Sequence, residues 1–104
     1  MATENGQIAI NISSSGDNIV VAPDNSRQII YVNSFTLSFA ADTAAVATFK
    51  SGSRALSGPV TFLDWVQDPR EGAPIYITDP GQNLIINLGA AGTLGGTLWI
   101  TRQP

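Results

Sequence analysis

Apolar and polar residues alternate with period two along much of the chain, a pattern that predicts strands and not helices. Ile8, Ile10 and Ile12 are separated by Ala9 and Asn11, so three β-branched side chains fall on one face of a strand. Phe35, Leu37 and Phe39 repeat the pattern against Ser34, Thr36 and Ser38, while Ile75 and Ile77 bracket Tyr76, and Leu98 and Ile100 bracket Trp99. No window carries apolar residues at helical spacing. Gly, Pro, Asn and Asp cluster between the runs, at Ser14–Asn18, Pro23–Ser26, Ser51–Pro59, Asp68–Pro74, Asp79–Gln82 and Gly89–Gly96, where the chain is expected to reverse.

The runs left between these loops predict strands near Gln7–Ser13, Asn18–Ala22, Arg27–Ala40, Ala45–Ser51, Val60–Leu63, Pro74–Thr78, Asn83–Leu88 and Thr97–Arg102. About eight short, mainly antiparallel strands with frequent turns imply an all-β chain, folded as a single jelly-roll-like β-sandwich. Arg27–Ala40 is long for one strand and contains the apolar run Ile29-Ile30-Tyr31-Val32, which suits a central strand bent near Asn33-Ser34. Ala40-Ala41-Asp42-Thr43-Ala44-Ala45 could form a helical turn, but its shortness favours a plain connection between strands. Met1–Gly6 is nearly free of apolar residues and is expected to be a flexible N-terminal arm, leaving residues 7–104 as the one sandwich domain.

Composition narrows the functional classes. Of 104 residues, 43% are hydrophobic and only 12% charged, about half the charged share usual in globular domains. A surface so poor in charge suits faces hidden against copies or partners, because charge is depleted at interface cores. The net charge of −3, with Arg27, Lys50, Arg54, Arg70 and Arg102 scattered along the chain, argues against a nucleic-acid partner. The sequence has no apolar run long enough to span a membrane and no basic, apolar leader around Glu4, so synthesis in the cytoplasm is expected. Cysteine and histidine are both absent, which removes disulfides, thiolate chemistry, imidazole ligands and nucleophile–histidine systems together.

What chemistry remains is sparse. Asp64, Asp68, Glu71 and Asp79 form the densest acidic stretch and could supply a carboxylate pair or a hard-cation loop. Asp68 and Asp79 each precede proline, however, and turn initiation explains them more simply. Gly89–Gly96 lacks the Gly-Lys-Ser/Thr ending of a phosphate cradle and precedes a strand, so it reads as a tight connection. Trp65 stands in the loop-like stretch Leu63–Asp68, where it either folds back over one end of the sandwich or offers a partner contact. Trp99, in an alternating run, is expected in the core or between subunits. Neither a catalytic site nor a cofactor is expected.

The order of several short motifs carries a resemblance. Asn11-Ile12-Ser13-Ser14-Ser15-Gly16-Asp17-Asn18 is followed by Thr48-Phe49-Lys50-Ser51-Gly52-Ser53-Arg54-Ala55-Leu56-Ser57-Gly58-Pro59. Then come Pro80-Gly81-Gln82-Asn83-Leu84-Ile85-Ile86-Asn87-Leu88 and Leu94-Gly95-Gly96-Thr97-Leu98-Trp99. Across Ile8 to Ile100 this order resembles small tailed-bacteriophage virion proteins of the trimeric β-sandwich type. The segment from Val60 to Pro74 departs from the family pattern, in which a glycine-rich loop is usual.

The resemblance implies a capsid decoration (cement) protein, without catalysis, that sits as a homotrimer on the virion surface and clamps neighbouring subunits of the major capsid protein. Repetition about a three-fold axis would raise effective affinity. Candidate partner contacts lie in the arm (Glu4, Asn5) and in the divergent loop (Asp64, Trp65, Gln67, Asp68, Arg70, Glu71). The alternative is a tail- or fibre-associated module that recognises host-surface glycan through Trp65, Tyr76 and the Asp/Asn loops.

Overall fold

Period-two alternation buries one face of every long strand, and two such sheets close on each other in the computed structural model, which describes residues 4–39, 45–67, 74–89 and 92–103. Ten strands are present: β1 (Glu4–Ile12), β2 (Gly16–Val21), β3 (Ile29–Phe39), β4 (Ala45–Ser51), β5 (Arg54–Ala55), β6 (Val60–Phe62), β7 (Asp64–Gln67), β8 (Tyr76–Ile77), β9 (Leu84–Leu88) and β10 (Leu94–Gln103). The first sheet runs β1-β10-β3-β7, with β8 also on β3; the second runs β2-β9-β4-β5, with β6 also on β4. Every pairing is antiparallel. The expected all-β sandwich is therefore the observed architecture.

The inward rows are those the alternation predicts. Phe35, Leu37 and Phe39 from β3 meet Phe49 and Ala47 from β4, Leu84, Ile86 and Leu88 from β9, and Leu98 and Ile100 from β10. The expected bend in β3 is also present. Trp99 pairs with Ser34 and Ile100 with Val32, so Asn33 is the extra residue of a bulge, and its amide donates to Thr101 Oγ1 at 2.8 Å.

Several boundaries differ from expectation. β1 starts at Glu4, which pairs with Arg102, so Glu4, Asn5 and Gly6 belong to the sheet and not to a free arm. Nine consecutive ladder positions with β10 outweigh the weak apolar content of the strand's first residues. Met1–Thr3 and the alanine-rich segment before Ala45 lie outside the described residues. β7 occupies most of the stretch Leu63–Asp68 that reads as loop-like, because the chain changes sheets at Leu63: β6 pairs with β4 and β7 with β3. Alternation slips at the crossing, where Leu63 and Asp64 are both exposed. In β8 it is Tyr76 that points inward and Ile77 that is exposed, the reverse of the expected isoleucine row.

Gly95 and Gly96, expected in a turn, belong to β10. Gly96 has φ of 143°, and a Cβ there would run into the Thr36 carbonyl of the adjacent strand. Gly96→Ala is expected to destabilise the fold by roughly 2 kcal/mol or more, since both backbone strain and the close approach oppose it. Urea unfolding measures this, and an unchanged midpoint would remove Gly96 as a constraint on the β10–β3 pairing.

Candidate functional site

Of the two positions open to each tryptophan, Trp65 takes the packed one and Trp99 lies outside the core. Trp65 on β7 pairs with Leu37 and shares its inward face. Its ring meets Phe35 edge-on at 5.0 Å, Phe62 at 5.2 Å and Phe49 at 5.6 Å. Such pairs contribute about 0.5–1.5 kcal/mol each beyond the area they bury. Tyr76 joins the same cluster, 4.9 Å from Phe49, with burial raising its hydroxyl pKa and a hydrogen bond with Ser57 acting the other way. Both aromatic rings proposed for partner or glycan contact are thus part of the core packing.

Trp99 instead points outward from β10 and is 39% exposed. The alternation already placed it opposite Leu98 and Ile100. What sequence could not supply was whether the other face of the sheet is covered.

Register defines Trp99's surroundings on the outer face of the first sheet. Gln7 and Ser34 flank it across β1 and β3. The next row is Ala9, Thr97, Thr36 and Val66, and the one beyond is Asn11, Gly95, Ser38 and Asp64. On the other side, Thr101, Tyr31 and Ile77 form a third row. Val66 is 60% exposed and Ile77 46%. Among the described residues, Asp64 is the one charged side chain that these rows place outward. Between these strands the surface dips into a shallow depression of about 360 Å³ lined by Thr36, Leu37, Ser38, Asp64, Val66 and Gly96.

The second sheet's side is different in kind. Lys50 donates to both carboxylate oxygens of Asp17 at 3.0 Å, and Asn87 Nδ2 donates to Asp17 Oδ1 at 2.7 Å. Those hydrogen bonds, Asn87 first and Lys50 second, hold the Asp17 carboxyl below its ordinary value. Arg54 grips Asp79 through Nε at 2.9 Å and through its second terminal nitrogen at 3.1 Å, which lowers the Asp79 pKa and raises that of Arg54. Asp79 also receives a hydrogen bond from Ser51, whose hydroxyl accepts from the Asp79 amide. Asp79, most simply read as a turn initiator, also ties the β8–β9 connection to the β4–β5 hairpin.

The candidate contact residues do not converge. Asp64 lies outward at the rim of the depression, whereas Trp65 is turned inward. Gln67 ends β7 opposite Phe35. Glu4 and Asn5 open β1, at the opposite corner of the sheet from Asp64. Asp68, Arg70 and Glu71 lie outside the described residues. The feature that sequence reasoning passed over, the outward face that joins Val66 to Trp99, had a legible signal in the polar but uncharged row Ser34, Thr36, Ser38 opposite the phenylalanines.

No family model and no curated protein matches the chain. Among solved structures it is similar to a chain of the Bacillus endospore appendages, a novel family of disulfide-linked pili. The identity is 19% and the TM-score 0.48, over 96% of this chain and 86% of that one. This likeness is too low to carry an argument, and the present sequence contains no cysteine. The resemblance to virion proteins accordingly rests on the order of the sequence motifs.

Two outcomes follow from the geometry. Trp65→Ala is expected to cost about 3–5 kcal/mol and Trp99→Ala less than about 1 kcal/mol, measured by urea unfolding of each variant. Equal losses would place Trp99 in the structural core. Asp17 and Asp79 have depressed folded-state pKa values, so their contribution is complete above the ordinary carboxylate value of 3.8 and is lost as pH falls through the lowered values. Both carboxylates are about half exposed to solvent, which keeps the effect small. The double variant Asp17→Asn/Asp79→Asn should show a shallower loss of stability on acidification below about pH 4 than the wild type. Parallel acid limbs would assign the acid sensitivity to other carboxylates.

Proposed function

We propose that this chain is a non-catalytic structural subunit of the capsid-decoration type, which docks on a larger protein assembly through the outer face of its first sheet. The observation that carries this reading is the division of charge between the two faces. The Asp17–Lys50 and Arg54–Asp79 pairs belong to the second sheet and its connections, while the rows around Trp99 are uncharged up to Asp64 at one corner. Interface cores are depleted in charge and enriched in aromatic residues, and a central exposed Trp is a common energetic anchor. The ordered motifs that resemble phage decoration proteins support the same reading and make assembled coat subunits the partner class.

A second reading has its own observation. Trp99 lies beside the amide of Gln7 and the hydroxyls of Ser34 and Thr97, groups that suit a sugar ring stacked on the indole. Glycan binding by this face is the outcome that would replace docking on protein.

Co-sedimentation with expanded capsids of the cognate phage separates the two. Wild type should bind saturably, Trp99→Ala and Val66→Lys should each bind roughly tenfold or more weakly, and Lys50→Ala on the opposite face should bind as wild type. Absence of wild-type binding, with saturable binding to host surface polysaccharide, would establish the glycan reading instead.

A further inference from the structure

The longest edge of the sandwich is open. β1 pairs with β10 from Glu4 to Ile12, and among the described residues no strand lies on its other side. One row of backbone N–H and C=O groups along this strand is thus left to solvent or to another chain. Sheet edges are ordinarily protected by shortness, charge, proline or bulges. The chain's other edges carry such devices. β2 has a register shift between Ile19 and Val21 and bears Asp17; β5 is two residues long and contains Arg54. β6 has three residues and follows Pro59, β7 has four and begins at Asp64, and β8 has two.

β1 carries a single such device, the charge of Glu4 at its first position, and none along the rest of its length. Its ladder with β10 has no register shift, it contains no proline, lysine or arginine, and Asn5 to Ile12 are uncharged. Ile10 is buried, but Ile8 and Ile12 on the same face are only partly covered, which leaves aliphatic surface at the rim of the core.

We infer that β1 pairs antiparallel with β1 of a second copy of this chain, about a two-fold axis at Ala9, so that two five-stranded sheets become one continuous sheet. In that register Ala9 faces Ala9 of the second copy, Ile8 faces Ile10, Gln7 faces Asn11 and Gly6 faces Ile12. Aliphatic side chains meet aliphatic ones on the inner face, and amides meet amides on the outer face. Glu4 falls beyond the paired stretch, so no like charges are opposed. The strand is complementary to itself, while the chain's other edges are too short or too charged to pair along its length. A two-fold dimer then stands in place of the three-fold arrangement implied by the resemblance to virion proteins. The pairing is independent of what the outer face docks on, although it would present Trp99 twice on one surface.

The opposition of Ala9 with itself provides the test. Ala9 is exposed on the outer face, so a charge there is compatible with the monomer fold but places like charges directly across the two-fold. Light scattering coupled to gel filtration should give wild type twice the chain mass of 10.9 kDa. Ala9→Lys and Ala9→Glu should each run as monomers with an unchanged β-type circular dichroism spectrum, and an equimolar mixture of the two should recover the dimer. Hydrogen exchange on wild type adds a reading independent of the variants, with β1 amides becoming protected as concentration rises. A wild-type monomer, a trimer, or dimers of either single variant would overturn the inference, whatever the capsid-binding result.

Discussion

Phe35 lies at the centre of the molecule, and the rest of the sandwich depends on its contacts. The ring comes from the interior strand of the first sheet and is fully buried. It meets Phe49 of the second sheet at 4.9 Å and Trp65 of its own sheet at 5.0 Å. Phe62 then reaches Trp65 from the opposite layer, and Tyr76 stacks on Phe35 at 6.5 Å. In a chain without disulfides, this cluster clamps the layers across the very place where the chain crosses between sheets at Leu63. Loss of any one ring opens a cavity that the stiff flanking ladders can only partly close.

Using the aromatic residues inside has a consequence for the outside. With Trp65 and Tyr76 committed to the cluster, Trp99 is the exposed indole, and it stands on the face that, among the described residues, carries almost no charge. The other face secures its loops with hydrogen-bonded ion pairs, which suit continuous contact with water. One fold thus presents two chemically distinct surfaces. Their difference arises from which residues occupy the outward positions of each strand, since the inward positions of both sheets are alike in chemistry.

Much of this was readable in the sequence because a strand's two faces are written at alternate positions. The inward row of β3, the bulge near Asn33 and the all-β class follow from Ile, Phe and Leu spacing and from one run too long for a single straight strand. The failures have a common physical cause. Alternation assigns side chains to opposite faces but does not say which face a neighbouring layer covers, so it left Trp99 between core and subunit contact and read Trp65 as part of a loop-like stretch. Gly95 and Gly96 read as a turn because glycine signals chain reversal more often than close approach of a neighbouring strand. β1 was expected to begin later because backbone pairing with β10, unlike hydrophobic burial, leaves little mark on composition.

The β1–β10 ladder also bears on how the molecule comes to be folded. Ile8 pairs with Leu98, so the first strand of the sandwich finds its neighbour in the last. Closing that ladder joins residues some ninety positions apart, and such distant pairings are slow because loop-closure entropy is lost before contacts compensate it. During synthesis the row Ile8, Ile10, Ile12 emerges early and waits longest. The segment most open to pairing in the finished protein is therefore also the one exposed for the greatest part of its formation, a combination that ties the timing of folding to the risk of premature strand exchange between nascent chains.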